Sequence, residues 1–214
     1  MSRPATLRLV SEPPPKGEPA QPSSLSEQEL VKGLKDGDPA VCDRIYRLYA
    51  REVWRMLRRI LGDDPDLDDV HHEVFVQALR SAPRFRGDAT LKTWLIGIAV
   101  NCARTKLRSR RRRWWLRFMP PEDLPEETSP SSCDDDTALT AQAVYTVVER
   151  LPPEERIAFT LRYVEGMTNG EVAAAMGCSV GTVKRRLSKG SARFFVLAEK
   201  HPALSALCAR RGLS

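Results

Sequence analysis

Aromatic residues are scarce in this chain, at 7% of the sequence. A buried core must therefore be built from Leu, Val, Ile and Ala. Cysteine is sparse and has no pairing pattern. The five residues Cys42, Cys102, Cys133, Cys178 and Cys208 include no C-x-x-C pair and their number is odd. That excludes a disulfide frame and points to reduced, mostly buried thiols in a cytoplasmic protein. The histidines are His71, His72 and His201. Neighbours on a helix point about 100° apart, so His71 and His72 make a poor ligand pair, and neither a metal nor another cofactor is expected. No run of about 18 apolar residues occurs, so membrane insertion is not expected. The first residues lack the apolar stretch of a signal peptide. Strand alternation is missing throughout, which leaves an all-α fold.

The chain does have charge, arranged in blocks: 34 Lys and Arg against 28 Asp and Glu, a formal net charge of +6. Residues 1–25, rich in Pro, Ser and Glu, read as a disordered tail. Residues 26–115 read as a first helical domain. Ser26 with Glu29 forms the pattern of a capping box. A stripe of Val41, Ile45, Leu48, Tyr49, Val53, Leu57 and Ile60 follows, close to a 3.6-residue period, and Gly62 with Pro65 ends it. An acidic cluster, Asp63, Asp64, Asp66, Asp68 and Asp69, opens a third helix, where acids suit the macrodipole. After the loop Arg84-Phe85-Arg86-Gly87-Asp88, either Asp88 or Thr90 can cap a fourth helix with Leu91, Trp94, Leu95, Ile98, Ala99 and Cys102. That helix runs into Arg104, Lys106, Arg108 and Arg110–Arg113. Such a run either tracks phosphates or is a solvated helix end. Trp114 and Trp115 after it suit packing better than base stacking.

Residues 116–137 break the composition with four prolines and only acidic charges, and they read as a flexible acidic linker. Residues 138–196 read as a second small helical domain, and 197–214 as a tail. The second domain's strongest feature is the stretch from Thr168 to Phe195. Thr168 with Glu171 forms a capping box. Ala173 is small where helices cross, and Gly177 suits a left-handed helix end. Ser179 or Thr182 can cap the next helix, and Val183 and Leu187 fall on one face, toward Val172 and Met176. Together these make a helix-turn-helix. Its second helix offers Thr182, Lys184, Arg185, Arg186, Ser188 and Lys189 to a DNA major groove. The plainer reading is a helical hairpin with a solvated basic face. The coincidence of cap, turn glycine, apolar pair and basic face favours the DNA reader.

The whole order resembles an extracytoplasmic-function (ECF) sigma factor of bacterial RNA polymerase. The segments carrying the resemblance are Asp69-Val70-His71-His72-Glu73-Val74-Phe75, Phe85-Arg86-Gly87-Asp88-Ala89-Thr90-Leu91-Lys92-Thr93-Trp94-Leu95, Leu151-Pro152-Pro153-Glu154 and Val180-Gly181-Thr182-Val183-Lys184. The resemblance implies a promoter-specificity subunit without catalysis of its own. It implies that Asp68, Asp69, His72, Glu73 and Phe75 dock on core RNA polymerase; the family usually carries Gln where this chain has His72. It implies that Phe85, Arg86, Gly87, Asp88, Thr90, Lys92, Trp94, Asn101, Arg104 and Arg108 read and help to melt the −10 element of promoter DNA. The second domain would read the −35 element, where Arg185 and Gly190 replace the commoner Ser and Ala. Family members are often held by an anti-sigma factor, a further candidate partner.

Two other functions compete. A free-standing helix-turn-helix regulator would need a sensor domain, and the first domain offers an acidic docking helix and a basic extension instead. A nuclease could use the acids Asp63–Asp69 for Mg²⁺, but no nucleophile or glycine-rich phosphate loop stands near them in sequence.

Overall fold

The computed structural model describes residues 25–117 and 136–205, with side chains described for 25–110 and 142–205. The expected N-terminal tail, most of the acidic linker, the side chains of Arg111–Trp115 and the end of the C-terminal tail lie outside the described residues.

The described residues form helices and turns, with no strand among them. Helix α1 (Glu27–Asp36) starts at the expected capping box, with Ser26 and Glu29 satisfying one another's backbone amides. Helix α2 (Pro39–Leu61) buries Val41, Ile45, Val53, Leu57 and Ile60, the stripe expected from the sequence. It stops at Gly62, whose φ of 74° is one that a side chain would strain. Helix α3 (Leu67–Ser81) begins later than the acidic cluster suggests. Asp63, Asp64 and Asp66 form the corner before it. Asp64 is buried there and accepts from the Asp66 backbone amide at 2.9 Å. A 3₁₀ turn (Ala82–Arg84) leads through a loop into α4 (Leu91–Arg117). Thr90, not Asp88, caps α4, accepting from the Thr93 amide at 3.1 Å. Glu27 on α1 takes the Leu91 amide at 2.5 Å, a long-range cap with no signal in the local sequence.

Helices α5 (Asp136–Glu149) and α6 (Pro153–Phe159) follow, and α6 runs into a π-helical turn, Thr160–Val164. The helix-turn-helix is α7 (Asn169–Met176) and α8 (Val180–Glu199). The Thr168–Glu171 box caps α7, Gly177 ends it at a φ of 61°, and Ser179 caps α8.

The two halves do not stand apart. One apolar cluster takes Val53, Leu57, Val100 and Ala103 from the first half and Ile157, Leu161, Val172, Val183 and Leu187 from the second. A second cluster, with Leu30, Leu34, Leu91 and Leu95, closes α1 over α2 and α4. Smaller clusters hold α5 against the end of α8. Two small domains were expected from the linker, and nothing in either half's periodicity announces that they share a core.

Candidate polymerase and nucleic-acid interfaces

Helix α3 buries Val70, Val74 and Ala78 and turns Asp68, Asp69 and Glu73 outward. The Trp54 indole donates to Asp68 at 2.9 Å, and Gln77 donates to Glu73 at 3.0 Å. Phe75 is half-buried beside Tyr46, with ring centroids 4.8 Å apart. The two histidines have separate tasks. His71 is buried and its Nε2 lies 3.0 Å from the Ala50 carbonyl oxygen. A carbonyl only accepts, so Nε2 carries the proton. Burial pushes the His71 imidazole toward the neutral form. His72 is partly exposed, and its Nδ1 sits 2.9 Å from the Asp68 carbonyl one turn back. That leaves Nε2 as an outward acceptor, where a glutamine would offer both donor and acceptor.

The loop and α4 form the second surface. Arg84, Arg86, Gly87, Asp88 and Thr90 are exposed. Phe85 is buried, with its ring 4.8 Å from the half-buried Trp94. Phe85 is thus a wall behind the loop, not an exposed contact. Lys92 pairs with Glu52 at 2.6 Å. A cavity of about 400 Å³ opens beside Arg86, Trp94 and Asn101. Asn101 is exposed and accepts from Arg104 at 2.7 Å. Arg104 and Arg108 both reach Glu154 on α6, at 2.8 and 3.3 Å.

The third surface is the outer face of α8, where Lys184, Arg185, Ser188 and Lys189 are exposed together. Thr182 stands at its start, its hydroxyl 3.0 Å from that of Ser179. Arg186 is directed otherwise. It is partly buried, lies 3.0 Å from a Glu154 carboxylate oxygen and donates to the Cys178 sulfur at 3.4 Å. Gly190 is buried as well, and a Cβ there would lie 3.4 Å from that of Glu155. The sequence reading placed Gly190 among specificity positions. It is instead the point where α8 passes close over α6. Gly190→Leu is therefore expected to destabilise the fold by about 1–3 kcal/mol through overpacking, measured by chemical unfolding, with the promoter preference of the folded fraction unchanged.

The acidic corner has no room for a Mg²⁺ role. Asp63 pairs with Arg58, and Asp64 and Asp66 both take Lys106. Among the described residues no group of three acids, histidines or cysteines stands close enough to hold a metal.

Comparison with known proteins decides the family. The sigma-70 region 2 family matches residues 45–113, and the sigma-70 region 4 family matches residues 141–194. The RNA polymerase sigma-H factor of Pseudomonas aeruginosa is 30% identical over 175 residues, 75% of this chain and 88% of that protein. The ECF RNA polymerase sigma-E factor of Escherichia coli is 32% identical over 177 residues, 76% and 89% of the two chains. The chain belongs to the ECF sigma factors.

As an ECF sigma factor it works with core RNA polymerase and promoter DNA in promoter-specific transcription initiation. The free-standing regulator is not favoured, because region 2 occupies the place of a sensor. Two solved structures share the fold. One is CnrH in complex with the cytosolic domain of CnrY, with a TM-score of 0.57, 21% identity and coverage of 81% and 97% of the two chains. The other is the sigma factor RpoE of Bartonella quintana in complex with the anti-sigma factor NepR, with a TM-score of 0.55, 20% identity and coverage of 73% and 96%. No described helix of this sigma factor is long and apolar enough to cross a membrane.

Sequence reasoning missed Glu154 and Glu165 in this sigma factor. Glu165 binds Arg59 at 2.7 Å, more than a hundred residues back in the chain. Glu154 lies inside a quoted motif, yet its arginine partners on α4 lie across the acidic linker, beyond any local pattern.

Proposed function

We propose that this sigma factor grips core polymerase with the outer face of α3 and a promoter at two points. Residues 26–115 form the unit that docks on polymerase and reads the −10 element. Residues 138–196 form the unit that reads the −35 element. On α3 the docking residues are Asp68, Asp69, His72, Glu73 and Phe75. At the −10 element, Arg86, Gly87, Asp88 and Asn101 surround the base that leaves the stack, Trp94 with Phe85 behind it gives the apolar wall, and Arg104 and Arg108 hold backbone. Thr90 and Lys92 act less directly, through the cap of α4 and the Glu52 pair. At the −35 element Lys184, Arg185, Ser188 and Lys189 face the groove, and Arg186 acts as a strut between α8 and Glu154. The chain supplies recognition and melting, the polymerase supplies the chemistry, and the work is done in the cytoplasm. The solved relatives in complexes make an anti-sigma factor a candidate partner here too.

The observation that carries this reading is the joint exposure of Lys184, Arg185, Ser188 and Lys189 on the second helix of a capped helix-turn-helix. Arg and Lys at such positions donate to guanine or to phosphate. Reconstituted transcription with core polymerase over a promoter library tests it. Arg185→Ala is expected to change preference at one or two base pairs by about 1–3 kcal/mol per pair. Lys184→Ala should weaken all promoters alike and reduce the salt slope of binding by about 1. Uniform weakening from Arg185→Ala would remove its base-reading role.

A further inference from the structure

We propose that the free sigma factor rests in a closed state, in which its second domain covers its own −10-reading face and glutamates occupy arginines meant for DNA phosphates. This rests on the assignment of Arg104 and Arg108 to promoter backbone made above. One carboxylate is central. Glu154 accepts from Arg104 Nε at 2.8 Å and Arg108 Nη2 at 3.3 Å, while its other oxygen lies 3.0 Å from Arg186 on the recognition helix. Arg104 also donates to the Met176 carbonyl, the last residue of α7, at 3.2 Å. Its side chain keeps only 16% of its exposure. A guanidinium so engaged has few donors left for a phosphate.

The −10 cavity is covered by the same contact. One of its walls is Phe85, Trp94 and Asn101, and the facing wall is Ala174, Ala175 and Gly177 of the helix-turn-helix. The backbones come close here, since a Cβ on Gly97 would lie 3.6 Å from the Ala175 carbonyl oxygen. A base leaving the duplex would have to displace α7 to enter. Well away from this surface, Arg59 and Glu165 form a second strap at 2.7 Å, with side chains 32% and 17% exposed. Glu149 makes a third approach, its carboxylate lying against Gly62 at the α2–α3 corner.

The outer face of α8 remains open throughout, with Lys184, Arg185 and Lys189 exposed. The closed chain can therefore meet duplex DNA with α8 but cannot admit a melted −10 strand. Half-exposed pairs of this kind are individually weak, which makes the closure reversible. Polymerase, by holding the first domain, and phosphates, by competing for Arg104 and Arg108, both draw the chain open.

Arg59 lies outside every DNA and polymerase surface named above, so it is the place to test. In the full-length free chain, Arg59→Glu is expected to raise the radius of gyration seen by X-ray scattering. It should also tighten binding of a random-sequence single-stranded DNA by roughly three- to tenfold, with binding of a random-sequence duplex changed by less than about twofold. Adding Glu165→Arg should return radius and affinity toward wild type, which general damage to the fold would not do. Glu165→Gln gives a milder opening if the reversal fails to fold. Equal radius and equal single-strand affinity in wild type and the opened variants would overturn the proposal. A raised radius without tighter single-strand binding would overturn the occlusion and place the error in the roles given to Arg104 and Arg108. Promoter-specific transcription by the wild type with core polymerase tests the functional reading independently.

Discussion

Asp64→Ala is expected to lower the unfolding free energy by about 2–4 kcal/mol, among the largest effects of any polar substitution in the chain. The Asp64 side chain is 2% exposed, and Lys106 beside it is 11% exposed. Its two oxygens serve four purposes. They face Lys106 at 3.3 Å and Arg110 at 3.3 Å, and one accepts the Asp66 amide at 2.9 Å while the backbone carbonyl takes the Leu67 amide. Alanine keeps only the last of these. It strands a buried ammonium and removes the tie between the α2–α3 corner and α4. Asp66 also reaches Lys106, so the ammonium retains one half-exposed partner, and the expected loss falls below the full cost of an orphaned buried charge. Asp64→Asn keeps the acceptor for the Asp66 amide and should fall between alanine and wild type. Thermal unfolding reads the series, at about 2–4 °C per kcal/mol for a chain of this size. A change under about 0.5 kcal/mol in Asp64→Ala would mean that Asp64 is a surface acid.

Asp64 also marks where the sequence stops informing. As one of five acids before a helix, it reads as a favourable charge at the start of α3. The helix begins only at Leu67, and Asp64 has turned inward to meet cations forty and more residues ahead. Local information was sufficient elsewhere. The boxes Ser26–Glu29 and Thr168–Glu171, the Gly177 turn and the α2 stripe depend on residues within one or two turns, and each stands where its spacing places it. What was illegible is what crosses the chain: Glu27 on the first amide of α4, Glu165 on Arg59 and Glu154 on Arg104. The site divides in the same way. The exposed residues of α3 and α8 follow from helical phase. The inward turn of Phe85, Arg186 and Gly190 depends on which helix lies opposite, and spacing carries no record of that. The joining of two halves across a linker is the extreme case, since each half presents a normal apolar face and only their meeting shows that the faces continue into one cluster.

The pair Asp69→Arg with Glu73→Arg is expected to weaken binding to core polymerase by roughly 30- to 1000-fold, or about 2–4 kcal/mol. Both residues are exposed on the outer face of α3, while Val70, Val74 and Ala78 hold its inner face in the core. The scaffold below them does not depend on their charge. His71 anchors α3 to the Ala50 carbonyl, Phe75 packs on Tyr46, and Trp54 holds Asp68 from the side. The only printed side-chain partner lost is Gln77, itself half-exposed, so the fold should lose less than about 1 kcal/mol. An acidic face of this kind suits a basic surface, and reversal turns attraction into repulsion across the same contact. Duplex binding by the free chain should be unaffected, because α8 lies on the other domain with its basic face open. Fluorescence titration with core polymerase, run beside thermal unfolding and duplex binding, separates these outcomes. Unimpaired polymerase binding by a folded double variant would move the docking surface off α3. Lost binding with an unchanged melting temperature and unchanged duplex affinity would place it there, and would leave α8 able to find DNA that the chain could no longer present to an enzyme.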